Sequence, residues 1–209
     1  MLLLAAAATA LACAPDPARR QGPAFGGDPT AFIPRGWATE SMHLPDLDRD
    51  GKPDLVLVVR DVDYENRRLI AAVATPKTYR NVGEAPLPGY PMGAAGVEFT
   101  PRGVLVVTDL TGGTTAIQAV YRYRYEGPSA AMRYIGLDAT HYSRTNRHDA
   151  LRLSFNWLTG DFSKRVDKLT RRGDYAPQKT VRGKDQPRCW FMEDTEDPEN
   201  FVQAEFEKD

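Results

Sequence analysis

The stretch Tyr121-Arg122-Tyr123-Arg124-Tyr125 alternates strictly between tyrosine and arginine. Successive side chains of a β-strand point to opposite faces, so the tyrosines share one face of a strand and the arginines share the other. We expect the tyrosine face to lie in a core and the arginine face in solvent.

Other segments with strand character surround this stretch. Leu55–Val59 and Gly103–Val107 are short apolar runs bounded by turn residues, and Leu55–Val59 is typical of a strand buried on both faces. The polar residues 61–68 predict a hairpin loop into a second run, Leu69–Ala74. Leu151–Phe155 alternates like the tyrosine stretch, and no window shows a helical stripe. We predict an all-β fold of antiparallel sheets, arranged as a sandwich, a barrel or a propeller-like array.

The amino-terminal residues indicate export. Leu2–Ala12 is an uncharged, small and apolar run, shorter than a membrane-spanning helix, which is typical of a signal peptide. Cys13 follows the small residues of a cleavage site, which predicts lipidation of Cys13 and a membrane anchor in the periplasm. Ordinary secretion is the alternative. An acylated Cys13 would leave Cys189 without a partner, so we do not expect a structural disulfide.

Composition divides the chain into four parts. We predict a signal peptide at residues 1–12, a flexible tether rich in proline and glycine at 13–30, a single β domain at 31–192 and an acidic tail at 193–209. The tail has a net charge of −7, and the remaining residues sum to +6. Such a tail can be solvated, fold back on the domain or face a basic partner.

One motif is typical of a metal-binding loop. It has the sequence D-x-D-x-D-G-x-x-D and lies directly before the apolar run Leu55–Val59. Calcium prefers oxygen ligands, and alternate side chains of a tight loop converge on it. We therefore expect a calcium site, and an EF-hand is excluded because its twelfth position is Leu57. The predicted ligands are the carboxylates of Asp46, Asp48, Asp50 and Asp54 and the backbone carbonyl of Lys52.

No motif points to catalysis. The three histidines, His43, His141 and His148, have no zinc-site spacing, and no nucleophile elbow or phosphate-binding loop is present. A formal net charge of −1 argues against a nucleic-acid partner. We expect a protein that is not an enzyme.

The order of several motifs resembles a group of bacterial envelope proteins. These motifs are F-I-P-R-G-W, the aspartate loop, R-R-L, Y-R-Y-R-Y, Y-I-G-L-D and N-W-L-T-G, and the loop itself is similar to the calcium loops of integrin-type and VCBS-like repeats. Similar calcium-loop lipoproteins include periplasmic immunity proteins that block peptidoglycan-degrading effectors. The resemblance implies calcium binding by the aspartates and a protein partner, a peptidoglycan hydrolase.

We therefore expect a periplasmic, calcium-binding lipoprotein that acts as an inhibitor, or immunity protein, of such an effector. The alternative is an envelope module that binds glycans or surfaces through exposed aromatic residues such as Trp157 or Tyr142. An enzyme whose site is assembled only in the folded chain is a third possibility.

Overall fold

The computed structural model describes residues 25–26 and 28–206. The predicted signal peptide, Cys13 and most of the predicted tether lie outside these residues. In the described part of the chain, no helix has the length and apolar character that crossing a membrane requires.

Strands make up most of the described chain. They are β1 (Phe25–Gly26), β2 (Ala38–His43), β3 (Leu55–Arg60), β4 (Arg67–Ala74), β5 (Thr78–Leu87), β6 (Gly96–Phe99), β7 (Val104–Gly112), β8 (Thr115–Glu126), β9 (Ala131–Ser143), β10 (Ala150–Asn156), β11 (Asp161–Leu169), β12 (Tyr175–Pro177), β13 (Val181–Lys184) and β14 (Trp190–Phe191). Short 3₁₀ helices span Pro29–Phe32 and Met192–Asp194, and an α-helix, α1, spans Pro198–Phe206.

The strands form two antiparallel sheets, which confirms the all-β prediction. The first sheet has five strands in the order β1-β5-β4-β3-β2. The second has nine, with β12-β11-β10-β9-β8-β7-β6 as its main path, β13 paired to β11 and β14 paired to β9. Among the described residues no barrel closes, and the arrangement is consistent with a sandwich.

The main core lies between the two sheets, and β3 contributes to a second core as well. Val56 and Val58 belong to the cluster shared with the second sheet. Leu55 and Leu57 face the other way and pack with Phe32 from the amino-terminal 3₁₀ helix. The prediction that this apolar run is buried on both faces is therefore confirmed.

The tyrosine–arginine stretch lies in β8, as predicted. Tyr121 and Tyr123 are fully buried between the sheets. Arg122 lies on the opposite face, where its Nη2 is 2.6 Å from Asp138 Oδ2 of the neighbouring strand.

The acidic segment folds back onto the domain. Helix α1 buries Val202 and places Phe201 against Phe155 and Trp157. Glu205 Oε2 also lies 3.2 Å from Lys164 Nζ of β11. The sequence did not predict this helix, because two turns are too few for a helical stripe to stand out.

Cys189 is disulfide-bonded in the structure. The expectation that the protein has no structural disulfide is therefore wrong. That expectation followed from assuming an acylated Cys13, and no local pattern around Cys189 supported it independently.

A buried arginine joins the two sheets. Arg67, at the start of β4, donates from Nε and Nη2 to the two carboxylate oxygens of Glu40 at 3.0 and 2.9 Å. Its Nη1 donates to Asp109 of β7, 3.0 Å from Oδ2, and to the carbonyl of Pro88 at 2.9 Å. Glu40 occupies an irregularity in the β2–β3 pairing, which turns its side chain toward the arginine.

The two carboxylates respond differently to this environment. Burial raises the pKa of Asp109 despite the neighbouring guanidinium. Burial also acts to raise the pKa of Glu40, but hydrogen bonds from Arg67 and from the Ala95 N–H outweigh it, so the pKa of Glu40 is lowered. Both acids depend on Arg67 to compensate their charge in the core.

We predict that Arg67→Met destabilises the protein by about 3–5 kcal/mol, because it leaves two buried carboxylates without their cation. Chemical denaturation measures the loss. The matched control is Arg68→Met on the same strand, because the Arg68 side chain is half-exposed and lies 3.6 Å from Glu84. We expect the control to cost less than about 1 kcal/mol.

The loss of stability caused by Arg67→Met should become smaller at acidic pH. Without the arginine, burial and mutual repulsion raise the pKa of both carboxylates above their unfolded values. Stability is then greatest below the unfolded pKa values and is lost as pH rises through the folded ones. A deficit that stays constant with pH would show that cavity formation, and not uncompensated charge, causes the loss.

Candidate functional site

The aspartate loop connects β2 to β3 and brings three of the predicted ligands together. One carboxylate oxygen from each of Asp46, Asp48 and Asp50 lies within 4.8 Å of the others. Gly51 has a φ of +83°, a left-handed conformation that glycine adopts without strain, and it lets the loop turn sharply after Asp50. Its N–H donates to Asp46 Oδ2 at 3.0 Å, which holds the loop closed.

This cluster fits a cation. The donors are all oxygens, as Ca²⁺ prefers. Asp46 Oδ1 is buried and has no hydrogen-bond partner in the structure. A buried carboxylate oxygen without a donor is costly, and a bound cation would satisfy it.

Asp50 already has a cationic neighbour. Lys52 Nζ lies 2.6 Å from Asp50 Oδ2, and a hydrogen bond from this ammonium lowers the pKa of Asp50. Lys52 is exposed, so its side chain can leave when a cation arrives. The Lys52 backbone N–H donates to Asp50 Oδ1 at 2.8 Å.

Asp54, the fourth predicted carboxylate, stands apart from this cluster and holds the loop to the sheet. It is fully buried. Its Oδ2 accepts the N–H groups of Leu47 at 2.6 Å and Asp48 at 3.3 Å, and its Oδ1 accepts the N–H of Ala74, at the end of β4, at 2.7 Å. Burial raises the pKa of Asp54, and these three N–H groups oppose the shift.

A second feature lies at the opposite end of β3, where two loops meet. The loop after β3 is braced by Asp61, whose carboxylate accepts the N–H groups of Glu65 and Asn66 at 3.0 and 3.1 Å. The Tyr90 N–H, in the loop after β5, donates to the Tyr64 carbonyl at 2.8 Å. The loops touch so closely that a Cβ on Gly89 would lie 2.6 Å from the Glu65 carbonyl oxygen.

Tyr64 and Tyr90 are displayed by these loops. They are 40% and 64% exposed, and each has a positive φ, of 60° and 51°, which is unusual for a bulky residue. The Arg60 guanidinium lies 3.7 Å from the centre of the Tyr64 ring. The Tyr90 hydroxyl donates to Glu65 Oε1 at 2.7 Å.

Two clefts flank Tyr90. The first has a volume of about 630 Å³ and is lined by Glu40, Arg60, Asp63, Tyr64 and Tyr90, among others. The second has a volume of about 450 Å³ and lies between Tyr90, Ile117, His141 and the start of α1, with Asp197 and Glu199 on its wall. Because Glu40 lines the first cleft and accepts hydrogen bonds from Arg67, this cleft borders the buried Arg67 network.

Two of the three histidines lie together, and within the described chain none of the three belongs to a cluster of possible metal ligands. The rings of His141 and His148 stack at 4.9 Å, and His148 Nε2 lies 3.0 Å from Thr115 Oγ1. Burial and the neighbouring His148 lower the pKa of His141. His43 lies apart from this pair, at the end of β2.

Comparison with known proteins finds no matching family model, no matching curated protein and no matching solved structure.

Sequence reasoning missed the Arg67 network and the two clefts. A signal for the network exists: Asp109 continues the inward alternation of Leu105 and Val107, so a carboxylate occupies a core position. The clefts had no such signal, because the display of Tyr90 depends on contacts between loops that are distant in sequence.

We predict that Asp50→Ala abolishes the stabilisation of the protein by calcium. A cation that binds only the folded state stabilises it by about 2.7 kcal/mol at a hundred times its Kd, and the variant loses this gain. Thermal melting with excess calcium and with a chelator measures it. Equal melting temperatures of the unaltered chain in both conditions would contradict a calcium site.

The variant Asp54→Asn distinguishes the structural role of Asp54 from a role in cation binding. The amide cannot accept all three N–H groups, so we expect a loss of about 1–3 kcal/mol whether or not calcium is present. Asp185→Asn is the matched control, since Asp185 is exposed. We expect its melting curves to match those of the unaltered chain.

Proposed function

We propose that this protein is an exported, calcium-binding inhibitor of a peptidoglycan-degrading effector, acting as an immunity protein. The observation that carries the proposal is the pair of tyrosines displayed beside Arg60 at the clefts. Tyrosine and arginine dominate the binding energy of protein interfaces, because they combine large apolar area with hydrogen-bonding groups. Tyr64 and Tyr90 are exposed on loops that hydrogen bonds hold in place, so they are well placed to bind another protein.

In this proposal the protein inhibits the hydrolase by binding it and does not catalyse a reaction. The loops carrying Tyr64 and Tyr90 are fixed to each other and to the Arg67 network, so little conformational entropy is lost when a partner binds. A rigid surface of this kind, bound to a hydrolase, can block access of its polymeric substrate. In this proposal calcium is the cation of the aspartate loop and has a structural role.

A glycan-binding module is the second candidate. Exposed tyrosine rings beside the Asp63 carboxylate also offer a stacking face and a hydrogen-bond acceptor for a sugar. Of the aromatic residues considered first, Trp157 is only 4% exposed and lies in the core, so it offers no such face. Tyr64 and Tyr90 take its place in this candidate.

Binding and inhibition assays test the proposal. We expect the purified chain to capture a peptidoglycan hydrolase stoichiometrically and to suppress its digestion of purified peptidoglycan. Tyr90→Asn should weaken inhibition about tenfold or more, since central interface tyrosines are often worth about 2 kcal/mol. Asparagine tolerates a positive φ, so the substitution removes the ring without straining the backbone.

Val181→Asn is the matched control, because Val181 is 59% exposed on β13, an edge strand of the second sheet. We expect it to inhibit normally. Retention of peptidoglycan with no captured hydrolase would overturn the inhibitor proposal in favour of the glycan-binding module.

The state of Cys189 tests the predicted lipid anchor. The sequence has two cysteines, so an acylated Cys13 and an intramolecular disulfide at Cys189 exclude each other. Because Cys189 is disulfide-bonded in the structure, we expect no thiol labelling of the exported protein under denaturing conditions. Labelling of Cys189 together with a lipid-sized mass increase would establish the anchor and contradict the disulfide.

A further inference from the structure

We propose that the two clefts form one docking groove for an extended, lysine- or arginine-bearing segment of a partner protein, which crosses the Tyr90 ring. This inference rests on the proposed function and adds to it the chemistry of the partner. The groove is defined here as the two clefts with Tyr90 between them.

The geometry favours an extended occupant. Tyr90 lines both clefts, so the two clefts are neighbours that share this residue. Tyr90 is 64% exposed, and its hydroxyl donates to Glu65 Oε1 at 2.7 Å. A segment that crosses a fixed aromatic ring can place a side chain into the cleft on each side.

The charges favour a cationic occupant. Asp63 lies in the first cleft, Glu65 holds the Tyr90 hydroxyl, and Asp197 and Glu199 lie in the second cleft. Within the described chain, these four carboxylates form no ion pair with a lysine or arginine. Glu40 differs because Arg67 compensates it, and Arg60 is stacked on Tyr64.

The behaviour of Tyr90 agrees with this charge distribution. A hydrogen bond to Glu65 raises the pKa of Tyr90, and the charges of Glu65, Asp61 and Asp63 add to the effect. The ring therefore lies in a negative field. Lysine and arginine are attracted both by such a field and by the face of an aromatic ring.

The acidic helix supplies one end of the groove. Asp197 and Glu199 belong to the segment predicted as an acidic tail, and docking of α1 on the domain fixes them in the second cleft. A carboxylate held at a fixed position binds a cation at a lower entropic cost than one on a mobile tail. This gives the fold-back of the segment a role in recognition.

The probe is a labelled decalysine peptide, and the control peptide is decaglutamate, which has the opposite charge. We expect the full chain to bind decalysine, with an affinity that falls as ionic strength rises, and not to bind decaglutamate. The triple variant Asp63→Asn, Asp197→Asn, Glu199→Gln should bind decalysine roughly tenfold more weakly. Asparagine preserves the cap that Asp197 Oδ1 provides to the Glu199 N–H at 2.9 Å, so α1 stays folded.

The matched control is the triple variant Glu98→Gln, Asp174→Asn, Asp185→Asn. It removes the same charge from exposed positions away from the groove. We expect its affinity for decalysine to change less than about twofold. An equal loss in both variants would show attraction to net charge alone and would overturn the proposal, as would no loss in either.

The same variants separate this inference from the proposed function. If a hydrolase is inhibited equally by the groove variant and the unaltered chain, the inhibitor proposal stands and the groove assignment falls. If decalysine binding depends on the groove but no hydrolase is captured, the groove stands as a site for a basic segment and the inhibitor proposal falls.

Discussion

The rest of the structure depends on the buried ion network of Arg67. Its guanidinium joins β4 to β2 through Glu40 and to β7 through Asp109, so one side chain fixes the two sheets at one end of the sandwich. Such a network has a high desolvation cost and tolerates little displacement, because a broken ion pair leaves an uncompensated charge in the core. The loops nearest to it therefore start from well-defined strand ends.

The two ends of β3 serve different purposes. At the amino end, Asp54 ties the aspartate loop to the end of β4, and three further carboxylates converge where a cation can bind. At the carboxyl end, Asp61 braces the loop that carries Tyr64, and this loop supports the one that carries Tyr90. In our account, a cation stabilises the first end and a partner binds at the second.

The sequence predicted the strands well because their signals are local. Alternation in Tyr121–Tyr125 and the apolar run Leu55–Val59 were enough to assign faces and burial correctly, and the aspartate spacing located the cluster. The role of Asp54 was less accessible, since a carboxylate that accepts backbone N–H groups and one that binds a cation look alike in sequence. The groove could not be predicted at all. It is formed by loops and a helix that are distant in the chain, and two of these loops touch at Gly89, where a side chain would not fit.

Hydrogen–deuterium exchange of the chain, alone and in complex with the hydrolase it captures, tests the central claim most directly. The account predicts slower exchange in residues 61–66, 88–95 and 196–200, three segments that border the groove, with little change on the outer face of the second sheet. Protection confined to that outer face, with the three segments unchanged, would contradict the account and place the partner elsewhere.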